Sequence, residues 1–384
     1  MTAYKPPVIA ILGGGQLGRM LIRELIPYAP TIFVADPDPA APCRPLADKF
    51  LCCSLYDSPA LLDFCAEADV VTIEIEHVGV DILRRLKEQG KKVVPDPDVL
   101  WMVQDKGRQK DFFSTNGIPT MPYMLLEKKS EYLPRNEAFR SFAQKTRTGG
   151  YDGKGVQIIR SREDWEQKGW DLPCVLEDLA DLKAEIAVMV CGDFAGKRKQ
   201  WPAVEMEFDQ EANLVTLLFS PPRLSSSVLL EAARIAENLA ELLHVEGLLA
   251  IEFFVTKDER VLVNEIAPRP HNSGHHTMEA CETGQFAQLA RILCGLGLGG
   301  TRLKSPAAMI NLLGAPLHNG LAVFQGLAEA MEQEGVYVHL YGKQQTKPGR
   351  KMGHCTVIDH DTDRATLRAR QLLQTIQVNT GNPR

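Results

Sequence analysis

The stretch V-L-V-N-E-I-A-P-R-P-H-N-S-G-H-H-T, residues 261–277, joins an apolar strand directly to a cluster of polar and charged side chains. Asn264 and Glu265 lie at the end of the apolar run, where a charged group is costly unless it is paired or bound to a metal. Prolines on both sides of Arg269 fix the backbone and keep the following polar residues, 271–276, in a loop rather than a helix. This pattern predicts a functional site at the end of a strand.

A second carboxylate precedes this stretch. Glu252 interrupts the apolar run G-L-L-A-I-E-F-F-V, and a K-D-E-R turn at 257–260 separates that run from the next. The sequence therefore predicts two neighbouring strands that each present one carboxylate, Glu252 and Glu265. Two converging carboxylates suit Mg²⁺, which takes oxygen ligands and completes its shell with waters and substrate phosphates. The alternative is that both acids form ion pairs with Arg or Lys in the core, but the adjoining Asn, Arg and His residues favour a site.

The composition limits the classes of protein to which this chain can belong. With 384 residues, 45% of them hydrophobic, it can bury a large core and should form more than one domain. The formal net charge of −6 argues against a nucleic-acid partner, because duplex-binding proteins carry a basic excess. Nine scattered cysteines without a C-x-x-C pair favour free thiols in a reducing cytoplasm. Because no apolar stretch reaches membrane-spanning length, we expect a cytoplasmic protein with small-molecule partners and no membrane partner. The expected assembly is a homodimer.

Hydrophobic periodicity predicts a mixed α/β and α+β fold. Short apolar runs alternate with helical patterns in the first hundred residues, which predicts a parallel sheet with crossover helices. The expected strands are at 8–12, 31–35, 69–73 and 92–94, and the expected helices near 16–27, 59–67, 79–89 and 98–115. Towards the end of the chain we expect strands near 307–313, 336–341 and 353–358 and a helix at 363–376.

These elements group into four predicted parts. A Rossmann-like parallel-sheet domain covers 1–117, and a small α+β subdomain with a glycine-rich loop covers 118–182. A larger antiparallel-sheet domain covers 183–300, and a C-terminal part at 301–384 packs on it.

A glycine motif near the start resembles a dinucleotide-binding fingerprint. Gly13, Gly15 and Gly18 in G-G-G-Q-L-G follow a strand and open a helix, and Asp36 ends the next strand. Taken alone, the motif would indicate an NAD-dependent oxidoreductase. The match is weak, because any unit that points backbone N–H groups from a helix N-terminus binds phosphate or carboxylate equally well. A tight strand-to-helix turn is the plainest interpretation.

A second glycine loop, K-T-R-T-G-G-Y-D-G-K-G at 145–155, has a different character. Its four glycines surround Tyr151, Asp152 and Lys154, and it lies between strands. A flexible glycine loop with a cation can close over polyphosphate and exclude water. The loop lacks the G-K-[ST] ending of a Walker A motif. Its alternative is an ordinary flexible hairpin.

Taken in order, a series of motifs resembles the ATP-grasp superfamily, and within it the N5-carboxyaminoimidazole ribonucleotide synthases of purine biosynthesis. The series is G-G-G-Q-L-G, E-I-E at 74–76, D-K at 105–106, Y-D-G-K-G, E-D-L at 177–179, Glu185, Glu252, N-E-I-A-P-R-P-H-N-S-G-H, Y-G-K and G-R-K-M-G-H. The resemblance covers nearly the whole chain. It implies the ATP-grasp architecture and an enzyme that joins ATP, bicarbonate and 5-aminoimidazole ribonucleotide. The product would be the N5-carboxylated nucleotide, formed through carboxyphosphate.

The resemblance also implies roles for individual residues. ATP would be bound by Lys106 and Lys145 at its phosphates, by the strand end around Glu177 and Leu179 at adenine, by Glu185 at the ribose, and by Gly150, Gly153, Gly155 and Asn264. Glu252 and Glu265 would bind Mg²⁺. The catalytic residues would be Asp152, Lys154, Arg269 and His271, the last two at bicarbonate or carboxyphosphate. The nucleotide substrate would meet Tyr151, Asp152, Lys154 and Glu76, with Lys343 and Arg350 at its ribose phosphate.

Several alternatives stay open from the sequence. Asp152 would accept a proton from the attacking amine or, alternatively, cap its own turn. Glu74 and Glu76 would touch the nucleotide substrate or simply end a strand. The family pattern has Gln directly after the glycine loop, whereas this chain has Val156 and then Gln157.

Two rival functions are weighed against the carboxylating enzyme. The formate-dependent glycinamide ribonucleotide transformylase has a loop closer to S-S-S-G-K-G and a later P-R-P-H-D-T-G segment, so Y-D-G-K-G and P-R-P-H-N-S-G-H-H-T favour bicarbonate. A non-catalytic nucleotide-binding module would have lost its metal acids or loop lysines, and this chain retains both.

Overall fold

The computed structural model describes residues 3–56, 59–132, 139–150, 155–209 and 214–381. Its first sheet is the parallel sheet that the alternating pattern predicts, with strand order β3-β2-β1-β4-β5. The strands are β1 (Val8–Leu12), β2 (Thr31–Asp36), β3 (Lys49–Cys52), β4 (Val70–Ile73) and β5 (Lys92–Val94), and the helices are α1 (Gln16–Leu25), α2 (Pro59–Ala66) and α3 (Val80–Glu88). Because β1 and β4 are neighbours although β2 and β3 lie on the other side of β1, their carboxyl ends flank a crevice of the kind in which open α/β sheets bind ligands.

The single helix expected over 98–115 is wrong, because the segment forms two helices. They are α4 (Pro97–Val103) and α5 (Lys106–Thr115). Asp105 between them has an extended backbone, and its carboxylate accepts the N–H groups of Gly107 and Arg108 as an N-cap. The break places Lys106 at the first position of α5.

The next segment forms a four-stranded sheet that we call the lid sheet. Its elements are β6 (Tyr123–Leu126), β7 (Phe142–Thr146), β8 (Val156–Ile159), α6 (Arg162–Lys168) and β9 (Cys174–Asp178), with strand order β6-β9-β7-β8. The glycine loop connects β7 to β8. Tyr151, Asp152, Gly153 and Lys154 lie outside the described residues, so their predicted roles stay predictions.

The rest of the chain is dominated by one large sheet, with strand order β15-β14-β10-β12-β13-β16-β20-β18 and β11 paired to β10. Its strands are β10 (Leu182–Gly192), β11 (Arg198–Gln200), β12 (Val204–Asp209), β13 (Leu214–Ser220), β14 (Gly247–Thr256), β15 (Val261–Ala267), β16 (Ala307–Leu313), β18 (Val336–Leu340) and β20 (Lys351–Ile358). The helices are α7 (Ser226–Leu242), α8 (Thr277–Ala280), α9 (Gln285–Leu293), α10 (Leu327–Met331) and α11 (Thr362–Thr375). A smaller sheet joins β17 (Gly320–Gln325), β19 (Gln345–Thr346) and β21 (Gln377–Thr380).

The C-terminal part continues the large sheet rather than only packing against it. Strand β13 pairs antiparallel with β16, and β16 pairs with β20, so one hydrogen-bonded sheet crosses the boundary expected at residue 300. The three boundaries between the four predicted parts stay a prediction. No helix within the described ranges is long and apolar enough to cross a membrane.

Candidate active site

Two carboxylates face each other across the strand pair β14 and β15. Glu252 lies directly opposite Glu265, which confirms that two neighbouring strands each present one acid. The register shifts immediately afterwards, because Phe253 pairs with Val263, and this makes Asn264 the extra residue of a β-bulge. A bulge re-aims side chains that would otherwise alternate between the two faces. Asn264 and Glu265 therefore both line the same cleft.

That cleft, with a volume of about 280 Å³, lies between the lid sheet and the large sheet. Its lining contains both apolar and charged side chains. The apolar part consists of Met121, Ala143, Val156, Ile158, Leu179, Leu182, Phe208 and Phe254, and the polar part includes Lys106, Lys145, Glu177, Glu185, Glu252, Asn264 and Glu265. Val156 thus contributes an apolar wall where the family pattern has Gln, while Gln157 binds Gln144. The cleft therefore suits a ligand that has both an apolar part and highly charged groups.

Lys106 reaches into the cleft from the start of α5. Its ammonium forms an ion pair with the Glu265 carboxylate, and its backbone N–H donates to the carbonyl of Arg147 at 2.8 Å. Burial lowers the pKa of Lys106, but the attraction of Glu265 outweighs burial and leaves the pKa above its ordinary value. Lys106 therefore carries its charge into the cleft.

Lys145 is oriented by a buried carboxylate. Glu177 is only 2% exposed, and its oxygens lie 2.8 Å from Lys145 Nζ and 3.0 Å from Lys110 Nζ. Lys145 also donates to Asn264 Oδ1 at 2.9 Å, which ties it to the strand that carries Glu265. The Glu177 carboxylate is therefore engaged by two lysines, and the strand end beyond it, including Leu179, lines the cleft.

Lys110 was not predicted as a site residue. It is 2% exposed, donates to Thr120 Oγ1 at 2.7 Å, and has a pKa lowered by burial to about 8. The available signal was its spacing, because Lys106 and Lys110 are four residues apart and so lie on one face of a helix.

The acids of the cleft influence one another. Burial and the neighbouring Glu265 charge raise the pKa of Glu252, whereas Lys106 holds the pKa of Glu265 well below its usual range. Burial raises the pKa of Glu185 to about 7. Lys351, which was not predicted, is among the cations that lower the pKa of Glu252, so its charge acts at this site.

The segment after β15 brings the predicted Arg and His to the same place. Arg269 Nε lies 3.2 Å from Glu76 Oε1, and Glu76 follows β4 of the parallel sheet. His271 Nδ1 lies 3.7 Å from Glu252 Oε1 and 2.9 Å from Ser273 Oγ. The structure thus unites Glu76, Arg269 and His271 with the carboxylate pair, and it does so where the parallel sheet meets the large sheet.

The first glycine motif binds a carboxylate of the chain itself. Glu74 accepts the N–H groups of Leu17 at 3.1 Å and Gly18 at 3.3 Å at the N-terminus of α1. A Cβ added at Gly15 would lie 2.5 Å from a Glu74 oxygen, which explains glycine there. Because Glu74 occupies the position that a pyrophosphate would take, the geometry argues against the dinucleotide interpretation.

Lys343 and Arg350 lie in the connection between β18 and β20. Lys343 Nζ donates to the carbonyl of Lys351 at 3.0 Å, and Arg350 Nη1 donates to that of Gln345 at 2.8 Å. A Cβ at Gly342 would lie 3.3 Å from the Arg19 guanidinium, so this connection approaches α1 and adds a cation that was not predicted.

Three protein-family models match the chain, one after another. The ribonucleotide synthetase preATP-grasp domain matches residues 7–104, and the ATP-grasp domain matches 111–286. The C-terminal domain of phosphoribosylaminoimidazole carboxylase matches 307–368.

Named relatives agree over almost the full length. The N5-carboxyaminoimidazole ribonucleotide synthase of Bacillus subtilis (strain 168) is 34% identical over 364 residues, covering 94% of this chain and 93% of the relative. The crystal structure of the synthetase from Thermotoga maritima is 38% identical, with a TM-score of 0.89, covering 97% and 99% of the two chains. A synthase from Aspergillus clavatus, solved in complex with ADP and 5-aminoimidazole ribonucleotide, is 26% identical with a TM-score of 0.84, covering 97% and 99%. The resemblance drawn from the motifs is confirmed, and the chain belongs to the N5-carboxyaminoimidazole ribonucleotide synthase family of ATP-grasp proteins.

Proposed function

We propose that this protein uses ATP and bicarbonate to carboxylate 5-aminoimidazole ribonucleotide, giving N5-carboxyaminoimidazole ribonucleotide, ADP and phosphate. The observation that carries the proposal is the convergence of the Glu252–Glu265 pair, Lys106 and Lys145 with the segment that contains Arg269. Bicarbonate is a poor electrophile, so it needs a leaving group before an amine can attack it. Phosphoryl transfer from ATP supplies one, and this transfer depends on positioning and charge neutralisation rather than on a covalent nucleophile.

ATP fits the cleft with its base against the apolar lining and its phosphates at the charged end. We assign adenine to the strand end at Glu177 and Leu179, the ribose to Glu185, and the phosphates to Lys106 and Lys145. Asn264 shares the phosphate end through its bond to Lys145, and Gly150 at the start of the glycine loop lines the cleft. Asp178 ends β9 beside this adenine-binding segment.

Mg²⁺ fits the carboxylate pair. Glu252 and Glu265 lie opposite each other, and two acids in this arrangement favour a cation between them, a requirement that Lys106 partly meets. Oxygen ligands from two acids, completed by phosphates and waters, match the preference of Mg²⁺. Bound there, Mg²⁺ would neutralise charge on the phosphates during transfer.

Both chemical steps take place beside the Glu252–Glu265 pair. A bicarbonate oxygen attacks the γ-phosphorus, ADP leaves, and carboxyphosphate remains next to Arg269 and His271. The amine nitrogen of the nucleotide substrate then forms a bond to the carboxyl carbon, phosphate departs, and the amine proton passes to a base. Asp152 keeps its predicted role as that base, and Tyr151 and Lys154 keep theirs at the substrate. Glu76 holds Arg269 and borders the substrate site.

The test is ADP release measured with each candidate nucleotide, with and without bicarbonate. We expect 5-aminoimidazole ribonucleotide and bicarbonate together to drive ADP formation, with glycinamide ribonucleotide inert and formate unable to replace bicarbonate. Label from isotopic bicarbonate should enter a product that loses it in acid, because an N-carboxylated amine is a carbamate. Formylation of glycinamide ribonucleotide by labelled formate would instead establish the transformylase. Nucleotide binding without turnover under any condition would indicate a non-catalytic module.

Arg350→Ala should raise the KM for the nucleotide substrate by about tenfold or more and leave the KM for ATP nearly unchanged. The reason is that a chain of net charge −6 must supply local cations for a phosphate, and Arg can bind phosphate oxygens through two N–H groups. Steady-state kinetics with each substrate varied in turn measure the effect. Arg302→Ala, which removes a surface ion pair with Glu282, is the control. An equal rise in both KM values would place Lys343 and Arg350 outside the substrate-phosphate site.

A cytoplasmic location and a homodimeric assembly complete the proposal. The nine cysteines are all unpaired, which supports a reducing compartment. Light scattering on the purified protein would test the assembly.

A further inference from the structure

We propose that Gln285 is a positioning residue. It holds the segment after β15 that carries Arg269 and His271, through hydrogen bonds to the backbone of His271. This inference rests on the proposed role of His271. Gln285 is the first residue of α9 and is wholly buried. Its Oε1 accepts the His271 N–H at 2.9 Å, and its Nε2 donates to the His271 carbonyl at 2.8 Å. One amide side chain therefore pairs with both polar groups of one residue, as a neighbouring strand would.

The second hydrogen of the Gln285 amide is also used. Nε2 lies 2.8 Å from His275 Nδ1, and because an amide nitrogen only donates, that ring nitrogen must be an acceptor. The orientation of the amide is fixed independently by His271, since a reversed amide would set donor against donor and acceptor against acceptor. Gln285 thus ties His271 to His275 across the turn at Asn272–Gly274.

This clamp acts on a short segment that is already stiff. His271 follows Pro270 and has an extended backbone, with φ −129° and ψ 152°. With this backbone, its ring nitrogen Nδ1 lies 3.7 Å from Glu252 Oε1. A Cβ added at Gly274 would lie 2.7 Å from Gln285 Oε1, so glycine makes room for the amide. Even a partly buried peptide group is costly to leave without partners, so without Gln285 the segment would shift to find others. Gln285 therefore determines where the His271 ring lies.

The chain offers a matched control on the same helix. Gln288 is also wholly buried, and its Oε1 accepts the Gly299 N–H at 2.8 Å while its Nε2 donates to the Gly299 carbonyl at 3.2 Å. The chemistry is the same, but the backbone held is that of Gly299, which does not line the cleft. Comparison of the two glutamines separates a loss of stability from a loss of positioning.

The experiment compares Gln285→Met with Gln288→Met in the complete protein. We expect both to lower the unfolding temperature similarly. Only Gln285→Met should raise the KM for bicarbonate by about tenfold or more, with the KM for ATP within about twofold of wild type. Gln285→Glu keeps the shape and one acceptor but removes both donors, and it should show the same rise. If Gln285→Met does not fold, Gln285→Glu decides, and a wild-type KM for bicarbonate in that variant overturns the inference.

Adding Gln285→Met to His271→Ala tests the route of the effect. If Gln285 acts through His271, the double variant should be no slower than His271→Ala alone. A His271→Ala variant with normal activity would refute the proposed role of His271 itself. A strongly impaired His271→Ala beside a Gln285→Met that matches Gln288→Met would overturn only the inference about Gln285.

Discussion

Glu252→Gln and Glu265→Gln should each reduce ATP-dependent carboxylation by about a thousandfold or more, which corresponds to a loss of about 4 kcal/mol of transition-state stabilisation. The two carboxylates lie opposite each other on β14 and β15, where an amide would supply the same shape without the charge that we propose binds Mg²⁺. Removing one acid should leave the fold intact, because the backbone ladder and the apolar neighbours do not change. Turnover at saturating ATP tests the expected loss of activity, and the thermal unfolding temperature tests whether the fold is intact.

Glu205→Gln provides the control for this prediction. Glu205 lies on β12 of the same sheet and accepts the backbone N–H of Arg223 at 2.9 Å, away from the cleft. It should keep its activity. If Glu252→Gln or Glu265→Gln also kept near-normal activity at ordinary magnesium levels, the two acids would be structural partners of Lys106 and His271. That outcome would support the ion-pair interpretation left open by the sequence.

The sequence was sufficient where local pattern and short connections determine the structure. The strands that carry Glu252 and Glu265 were predictable as neighbours because both are apolar runs and only a tight turn joins them. The bulge at Asn264 was not predictable, since it depends on how the two strands pair. The break between α4 and α5 at Asp105 was not predicted, although Asp is a favoured N-cap, because helical patterns continue on both sides of it.

Long-range contacts account for most of what the sequence did not predict. At the N-terminus of α1, Glu74 accepts the N–H groups of Leu17 and Gly18, which lie 57 and 56 residues before it in the chain. A glycine motif that is typical of dinucleotide binding therefore binds an acid of the chain itself. Lys110 and Gln285 were missed because their partners, Glu177 and His271, lie on other elements of the chain. Strands β17 and β21 were missed because their pairing joins segments on either side of β18, β19 and β20.

Acid should destabilise this protein strongly between about pH 6.5 and pH 4, because neutral imidazoles are buried in its core. His275, His276 and His354 are at most 1% exposed, and burial lowers the pKa of each, to about 4 for His276. In the unfolded chain the same groups bind protons near pH 6.5. The contribution of these imidazoles to the free energy of unfolding is therefore complete above about pH 6.5, and it is lost as the pH falls towards their pKa in the folded protein. His276 alone would account for a loss on the order of 3 kcal/mol.

The surroundings of these rings strengthen the effect. His354 lies 4.7 Å from both His275 and His339, ring centre to ring centre, and its Nδ1 is 3.0 Å from the Tyr341 hydroxyl. His339 in turn contacts Glu279 at 2.8 Å and Arg23 at 3.1 Å. A proton taken up by one ring of this stack places positive charge beside the other imidazoles, and this repulsion further lowers the pKa of His275 and His354 in the folded protein.

Urea unfolding at a series of pH values would measure the acid effect, and His276→Gln would isolate one imidazole. Two buried acids, Glu252 and Glu185, act in the opposite direction, because burial raises the pKa of each and their contribution to stability is lost as the pH rises. These acids are the same in both proteins, so the difference in slope between wild type and His276→Gln belongs to the imidazole. The variant should lose less stability than wild type between pH 6.5 and pH 4. His360→Gln, which removes an exposed ring, should leave the slope unchanged. Equal slopes for wild type and His276→Gln would show that His276 takes up its proton as easily when folded as when unfolded.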